Sequence, residues 1–262
     1  MNETEERAGW LLVHHNAEVA LARRFWDFFR AQTGRLSRQI ERLGGISPAT
    51  AEAMLDPVEE AAELWRRLAV PLGRMIRVGA QTTWLDAQPD LEKAWSGVEL
   101  DNLVLPQSVK DAIERSLAEL GEQQYWIDLQ QGTQDKLADL IRDGIDEGLN
   151  EWALAKRVSE SLLDIGKVRA HALARTEASQ ALNAGHAAGL DALYADGTVQ
   201  VKRWLSVLDG DTRPEHAALN GVEVPIPDDF YVGGEPTPYP AHWGLSAGQR
   251  VNCRCTTIAV IP

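Results

Sequence analysis

The stretch that decides the fold runs from residue 167 to residue 194 and reads KVRAHALARTEASQALNAGHAAGLDALY. Alanine and glycine dominate it, no proline interrupts it, and small side chains occupy most of the circumference of a helix. Such side chains let the backbones of neighbouring elements approach closely. We therefore predict a long central helix that is packed on several sides, with Ala178 and Gly185 facing packed neighbours.

On the C-terminal side of this helix the sequence changes from a helical period to alternation. Residues 199–207, after Asp196-Gly197, alternate between two sides, as in a β-strand. Prolines and glycines are then dense between residues 225 and 240 and predict a long irregular loop. A last strand is predicted over residues 255–260.

On the N-terminal side, caps and helix breakers predict three short amphipathic helices. The first begins at Pro106 and ends at Gly121. The second has Thr133 as its N-cap and ends before Gly148, and the third has Asn150 as its N-cap. Each carries apolar residues on one face, which indicates packing against a core.

The first hundred residues are also predicted to be helical. Apolar residues recur at helical spacing over residues 8–43. A second helix is predicted over residues 51–55. A third is predicted over residues 57–71, ending at a proline because proline inside a helix removes a hydrogen bond. Residues 86–106 show no sustained period, and we place a linker at residues 97–107.

Together these elements predict an α+β protein with two domains. Residues 1–105 form a mainly helical N-terminal region. Residues 106–262 form a second domain that contains the long central helix, a small β-sheet and the long Pro/Gly-rich loop.

Composition excludes several classes of protein. The chain is 44% apolar and 25% charged, a balance typical of globular proteins. Its longest apolar runs are far shorter than the roughly 20 residues of a membrane-spanning helix, so we expect no membrane association. The N-terminus is acidic and does not resemble a signal peptide. Cys253 and Cys255 are too few for a disulfide framework, which favours synthesis in a reducing cytoplasm.

The charge of −13 is spread over the whole chain. Residues 1–125 carry 14 Lys/Arg against 20 Asp/Glu, and residues 126–262 carry 12 against 19. A protein that binds DNA through its phosphates usually has a basic patch, so we expect no strong DNA binding. One local cluster of arginines is interpreted as a solvated helix face: Arg66, Arg67, Arg74 and Arg77.

Several short motifs follow one another in the second half. They are Ala174-Arg175-Thr176-Glu177, Asn183-Ala184-Gly185, Lys202-Arg203-Trp204, Asp209-x-x-Thr212-Arg213-x-x-His216-x-x-Leu219-Asn220-Gly221, a Pro-rich stretch, and Asn252-Cys253-Arg254-Cys255. Each motif alone is weak, but their order and spacing together are specific. In this set the chain resembles the phage Mu F-like head morphogenesis domain of minor head proteins, over roughly residues 125–260.

The resemblance implies a structural virion protein and not an enzyme. Such a protein is expected in few copies inside the head of a tailed bacteriophage, at or near the portal. There it would act in head assembly and in genome packaging or ejection. Its expected partners are the portal protein and the major capsid or scaffolding protein, with packaged DNA nearby but not strongly bound. Before assembly it is expected in the host cytoplasm.

Two further expectations concern the ends of the chain. The N-terminal region, residues 1–105, is not covered by the resemblance and is a candidate surface for portal or capsid interaction. Proteins with this head domain can carry an additional C-terminal toxin domain. Because the sequence stops just after the last predicted strand, we expect no such domain here.

The motifs contain candidates for a structural polar network: Arg175, Glu177, Asp209, Arg213 and His216. In it the two arginines would tie the two carboxylates together and fix the predicted strand against the central helix. Buried charges are costly unless fully paired, so the network would matter more for geometry than for net stability.

A short helix is expected within the same motifs. If it starts near Thr212, the guanidinium of Arg213 and the imidazole one turn later share a face. Asp211 or Thr212 is the predicted N-cap, with Pro214 and Glu215 in the first turn.

A metal site is the alternative for this region. Cys253 and Cys255 supply two thiolates, His216 and His242 supply imidazoles, and zinc takes four such ligands in structural sites. Asp209 is an alternative fourth ligand. The ion would cross-link residues 222–252, although Cys-x-Cys is a less usual zinc pair than Cys-x-x-Cys. The plainer expectation is no cofactor, with both cysteines packed as small apolar side chains.

Two enzyme hypotheses use the same residues. A thiol beside a histidine base is a nucleophilic pair, but nothing in the sequence orients the two cysteines against the two histidines. Arg175 and Glu177 resemble, loosely, the Arg and Glu placements of ADP-ribosyl-transferring folds, without a recognisable nicotinamide-binding signature. The alternative function is therefore a small Cys/His or ADP-ribosyltransferase-like enzyme carried by a phage.

Overall fold

The computed structural model describes residues 3–43, 53–87, 105–121 and 124–261. In these residues the elements follow one another in this order: α1 (Glu3–Arg42), α2 (Pro57–Asp86), α3 (Gln107–Gly121), α4 (Gln124–Asp146), α5 (Glu151–Ala195), β1 (Val201–Leu205), α6 (Pro214–Ala218), β2 (Glu223–Pro225), β3 (Phe230–Val232), β4 (Glu235–Thr237), α7 (Ala247–Arg250) and β5 (Thr256–Val260). The fold class is α+β, as predicted. Among the helices of the described residues, none is long and apolar enough to cross a membrane.

Two compact units divide the chain. The first unit comprises the described parts of residues 1–20, 70–120 and 172–262, and the second comprises those of residues 21–69 and 121–171. Helices α1, α2 and α5 each contribute residues to both units. Each unit therefore combines segments from both sides of residue 105, and the predicted domain boundary there stays a prediction. The predicted linker lies largely outside the described residues, as does the start of the predicted helix over residues 51–55.

The second unit has an all-helical core. Four aromatic rings stack or tilt against one another in it: Phe25, Phe29, Trp65 and Trp126. An aliphatic cluster is contributed by α1, α4, α5 and one residue before α2: Leu36, Ile40, Leu55, Leu137, Leu140, Ile141, Leu154, Ala155, Val158 and Leu162. The apolar faces that the sequence predicts for these helices supply the buried side chains of this core.

The first unit contains both sheets. Strand β1 lies between β2 and β5 and is antiparallel to both, with Lys202 opposite Val224 and Ala259. Strands β3 and β4 form a separate two-stranded sheet. One hydrophobic cluster of this unit contains residues of β1 and β3, two residues of the segment after β4, and both cysteines: Trp204, Phe230, Val232, Ala241, Leu245, Cys253 and Cys255. The predicted Cys-x-Cys motif is therefore part of a core.

The long central helix is confirmed and is longer than predicted. Helix α5 joins the predicted central helix to the short helix that precedes it, and Asn150 caps it as predicted, with Oδ1 accepting from the Ala153 N–H at 2.9 Å. Ala178 is completely buried. A Cβ atom at Gly185 would overlap the carbonyl oxygen of Ile76 on α2. Both residues face packed neighbours, as predicted.

The predicted end of a helix at Pro71 is wrong. Helix α2 continues through Pro71 to Asp86. Its apolar stripe continues on both sides of the proline, with Leu68, Leu72 and Ile76 completely buried. Burying such side chains stabilises the helix by about 1.5–3 kcal/mol each, which offsets the roughly 3 kcal/mol cost of an interior proline.

The predicted N-cap at Thr133 is also wrong. Helix α4 begins at Gln124, so Thr133 lies inside it, and its hydroxyl donates to the Leu129 carbonyl at 3.3 Å. Trp126 and Gln130, in the turns before Thr133, are buried. Burial of these residues extends the helix upstream of a residue that by itself favours a cap.

The prediction of an irregular loop after residue 225 is wrong in part. Val232 pairs with Glu235 across a two-residue turn formed by Gly233 and Gly234, whose φ values are 58° and 84°. Hairpin turns of this kind need positive φ at both positions, which glycine adopts without strain. The Gly-Gly dipeptide was a hairpin signal that the surrounding prolines obscured.

Candidate functional site

Both cysteines lie in the segment that joins α7 to β5. Asn252, just before it, has a φ of 59°, a left-handed conformation that asparagine tolerates better than most residues. The chain then runs toward β5. Alternate residues of an extended chain point to the same side, so Cys253 and Cys255 face one side while Arg254 faces the other. Both thiols are buried.

His216, on α6, completes a cluster with the two thiols. Its Nδ1 atom lies 3.6 Å from Cys253 Sγ and 3.6 Å from Cys255 Sγ. Its Nε2 atom lies 3.0 Å from Gln249 Oε1, an oxygen that only accepts hydrogen bonds. Nε2 therefore carries the proton, and the lone pair of Nδ1 faces both sulfur atoms.

The two thiols do not have the same acidity. Their mutual hydrogen bond raises the pKa of Cys253, as does burial. The same bond lowers the pKa of Cys255, burial opposes this, and the hydrogen bond to His216 lowers that pKa further.

Helix α6 positions His216 without a side-chain cap. The helix begins at Pro214, and Arg213 is its N-cap, with no side-chain cap hydrogen bond. The prediction of Asp211 or Thr212 as N-cap is wrong. These residues form a turn of their own, in which Asp209 Oδ1 accepts from the Asp211 N–H and the Thr212 hydroxyl, each at 3.1 Å. Proline in the first turn is as predicted.

A row of buried polar residues on α5 binds the backbone around the Cys-x-Cys motif. Ser179 Oγ donates to the Cys253 carbonyl at 2.5 Å. Asn183 Nδ2 donates to the Cys255 carbonyl at 2.9 Å, and its Oδ1 accepts from the Thr256 hydroxyl at 2.8 Å. These side chains are four residues apart and so lie on one face of the helix. The central helix thus holds the cysteine segment by its main chain.

Asn183→Leu should therefore lower the free energy of unfolding by about 1–3 kcal/mol, because the buried Cys255 carbonyl loses its amide donor and the buried Thr256 hydroxyl loses the shorter of its two hydrogen bonds. Leucine has a similar volume, so the loss would report hydrogen bonding and not a cavity. Urea denaturation measures it. The matched control is Gln124→Leu, which removes an exposed amide and should change stability by less than about 0.5 kcal/mol. Equal effects in the two variants would contradict the assigned role of Asn183.

The five residues predicted to form one network all have partners, but not one another. The pairs are Arg175 Nη2 with Glu18 Oε1 at 3.1 Å, Glu177 Oε1 with Arg250 Nη2 at 2.7 Å, Asp209 Oδ2 with Arg254 Nη2 at 2.5 Å, Arg213 Nη2 with the Val251 carbonyl at 2.6 Å, and His216 with Gln249. The predicted pairing is wrong because residues two apart on a helix point about 200° away from each other, so Arg175 and Glu177 face different neighbours.

The N-terminal turns of α1 also contact this region, which sequence reasoning missed. Arg7 Nε donates to the Ser206 carbonyl at 2.8 Å, and Trp10 Nε1 donates to the Arg254 carbonyl at 2.6 Å. Glu18 pairs with Arg175. Residues 3–20 therefore belong structurally with the motif-bearing part of the chain, although more than 150 residues separate them in sequence.

Two predicted metal ligands lie outside the cluster. Among the described residues, the group of potential ligands contains only His216, Cys253 and Cys255. His242 Nδ1 accepts from the Gly244 N–H at 3.2 Å, and burial lowers the pKa of His242 to about 4. Asp209 is engaged by Arg254. Of the four predicted ligands, the structure thus brings three together.

Sequence reasoning also missed Gln249 and Arg250, which hold His216 and Glu177. The available signal was indirect. The residues Thr176, Ser179, Gln180 and Asn183 place polar side chains on one face of an otherwise small and apolar helix. Such a face inside a core needs hydrogen-bond partners from elsewhere in the chain.

Comparison with known proteins agrees with the motifs. Residues 135–258 match the family model described as phage Mu protein F like protein. A relative from Enterococcus faecalis, described as NAD(+)–arginine ADP-ribosyltransferase EFV, is 32% identical over 121 residues, which are 46% of this chain and 24% of that protein. The chain thus spans about a quarter of the length of this relative. No solved structure matches the chain. Residues 135–258, with the Cys-x-Cys motif and the buried polar row of α5, are a domain of the phage Mu protein F-like family.

Proposed function

We propose that this protein is a minor head protein of a tailed bacteriophage, bound inside the head at or near the portal. The observation that carries the proposal is the family match over residues 135–258, which contains the ordered motifs. Head morphogenesis is the function that this family suggests. Portal binding, and a part in genome packaging or ejection, are the finer steps that the proposal adds.

The organisation of the site supports a structural role. The buried polar side chains of α5 bind the cysteine segment, and Glu177 binds Arg250. These contacts fix main-chain geometry within the first unit. Buried hydrogen bonds of this kind make a fold rigid, which suits a protein that must keep its shape inside a packed particle.

An ADP-ribosyl-transferring enzyme is the second candidate, because the Enterococcus faecalis relative carries that name. Two observations favour the structural role over it. The side chain of Glu177 is 0% exposed and is paired with Arg250, so no substrate reaches it in this structure. Arg175 is paired with Glu18. The two residues that suggested this chemistry are thus engaged within the protein.

Co-purification tests the proposed partner. Tagged full-length chain, co-expressed with the portal protein, should be recovered in a complex with it and should be found in purified heads. The intact chain is needed because α1 contributes Trp10 to the first unit and Phe25 and Ile40 to the second, so removing residues 1–100 would damage both cores. An unrelated acidic protein with the same tag is the control. Recovery of the chain only as a free protein, and never in heads, would contradict the proposal.

An activity assay separates the two candidates. With labelled NAD and a small guanidine acceptor, the purified chain should transfer no more label than a Glu177→Gln variant. Because the variant keeps the shape of the side chain, it is a matched control for chemistry. Transfer by the wild type that is lost in the variant would establish the enzyme and overturn the structural role.

Weak DNA binding is a further prediction. Because the chain is acidic throughout, its dissociation constant for duplex DNA should be no lower than roughly micromolar at physiological salt. Part of the arginine cluster is already neutralised, since Arg66 and Arg67 lie 2.9 and 2.8 Å from the Glu63 carboxylate. Fluorescence anisotropy over a salt titration measures the affinity. Submicromolar binding would contradict the prediction and would direct attention to Arg74 and Arg77, which are exposed.

A further inference from the structure

We propose that His216 Nδ1, Cys253 Sγ and Cys255 Sγ bind one zinc ion in the first unit, with a water molecule as the fourth ligand. The inference stands apart from the proposed function, since it concerns the chemistry of three side chains. Binding follows a balanced exchange in which two thiols each release a proton and form two thiolate–zinc bonds, while the neutral imidazole adds its lone pair.

The distances support this assignment. Zinc–sulfur bonds are about 2.3 Å and zinc–nitrogen bonds about 2.0–2.1 Å, so a tetrahedral ion separates a nitrogen from a sulfur ligand by about 3.6 Å. Nδ1 of His216 lies 3.6 Å from each sulfur atom. Two thiolates select a soft ion such as zinc over magnesium or calcium, which prefer oxygen.

The surroundings of His216 also suit a metal ligand. A histidine that binds a metal typically donates its other ring N–H to an oxygen, which fixes the ring and its tautomer. Gln249 Oε1 has this role here, at 3.0 Å from Nε2. The Gln249 side chain lies against Gly233, where a Cβ atom would clash with Nε2 of the amide. Close packing against Gly233 therefore restricts the position of the Gln249 side chain.

Charge and burial favour an ion between these groups. One divalent cation with two thiolates and a neutral imidazole has no net charge, so its burial is much less costly than that of an unpaired charge. Both sulfur atoms lie 3.6 Å from the single lone pair of Nδ1, which a cation between the three atoms would share with the two thiolates. All three side chains are at most 3% exposed, so neither thiol gains a hydrogen bond from bulk water.

Ser206 offers a hydrogen-bond partner to a water molecule in the fourth position. Cys255 Sγ donates to Ser206 Oγ at 3.8 Å, and loss of the thiol proton would leave that oxygen able to accept from a zinc-bound water. Ser206 is held in turn, since its hydroxyl donates to the His216 carbonyl at 2.6 Å. The predicted fourth ligands, His242 and Asp209, are engaged elsewhere.

Elemental analysis of the purified full-length chain tests the proposal. Wild type should hold close to one zinc per chain, and Cys253→Ser/Cys255→Ser and His216→Asn should hold close to none. His242→Asn is the matched control, because it removes a half-buried histidine of the same unit that lies outside the cluster, and it should keep the zinc. The assignment would be overturned if His242→Asn lost its zinc while His216→Asn kept it, or if the double serine variant kept its zinc.

A second measurement applies if a ligand variant fails to fold. Wild-type chain, stripped of metal by a chelator and titrated with Co²⁺ alone, should develop thiolate-to-cobalt charge-transfer absorption and the intense visible bands of a tetrahedral ion. Zinc should displace it at one equivalent. Gln249→Leu should keep the spectrum but weaken the affinity by about 10–100-fold, as expected of a positioning residue. No thiolate band in folded wild-type chain would overturn the proposal.

Discussion

Arg250→Met should lower the free energy of unfolding by about 3–5 kcal/mol, because it leaves the Glu177 carboxylate in the core without its guanidinium partner. The two side chains are 8% and 0% exposed, and Arg250 Nη2 lies 2.7 Å from Glu177 Oε1. Arg250 also donates to Gln180 Oε1, so a second buried acceptor loses its donor. Urea denaturation followed by circular dichroism measures the change.

Two further variants test the cause of that loss. Arg250→Met combined with Glu177→Gln should recover part of the stability, since the uncompensated charge is removed. Arg203→Met is the matched control. Arg203 forms a pair of nearly the same length with Glu223, 2.6 Å, but the two side chains are 32% and 44% exposed, and the expected cost is below about 1 kcal/mol. If the two arginine variants lost equal stability, burial would not be the reason.

Gly185→Ala should lower the free energy of unfolding by about 3 kcal/mol, at the upper end of the usual range for overpacking. The added Cβ atom would overlap the Ile76 carbonyl oxygen and would lie 2.9 Å from the Ala80 nitrogen. Both are backbone atoms of α2, which cannot move aside as a flexible side chain can. A Cβ atom at Gly79 on α2 would likewise overlap the Leu182 carbonyl oxygen of α5, so the contact involves glycine on both helices.

Gly9→Ala is the matched control for this helix contact. Gly9 is inside α1, and nothing lies within 4 Å of the position of its Cβ. The same substitution there should raise stability by about 0.4–1 kcal/mol, because alanine lowers the entropy of the unfolded chain. Thermal unfolding of both variants tests the opposite signs. A melting temperature unchanged by Gly185→Ala would mean that the helices do not touch at this point.

Local patterns predicted most of the helices correctly. The cap at Asn150 was found because its hydrogen bond joins residues only three apart. The errors at Pro71 and Thr133 have the opposite origin. Each residue has a local preference for a helix boundary, and in each case the burial of neighbouring side chains of the same helix exceeded that preference.

The candidate site was predicted by residue type but not by partner. The sequence pointed to the two cysteines and to His216, because thiols and imidazoles are few and chemically distinctive. It also pointed to His242, which the structure keeps out of the cluster. Gln249, which forms a hydrogen bond with His216, lies outside the motifs and is a common residue type, so the sequence does not indicate its role.

The sequence by itself determined the α+β class, the long small-residue helix and the family of residues 135–258, since these depend on periodicity and on ordered motifs. Only the tertiary structure decided which charges meet. Glu177 pairs with Arg250, 73 residues away, and Arg175 pairs with Glu18, 157 residues away. Every acidic residue is a chemically equivalent partner for an arginine, so residue type cannot choose between them. The choice depends on distance and direction after the chain has packed.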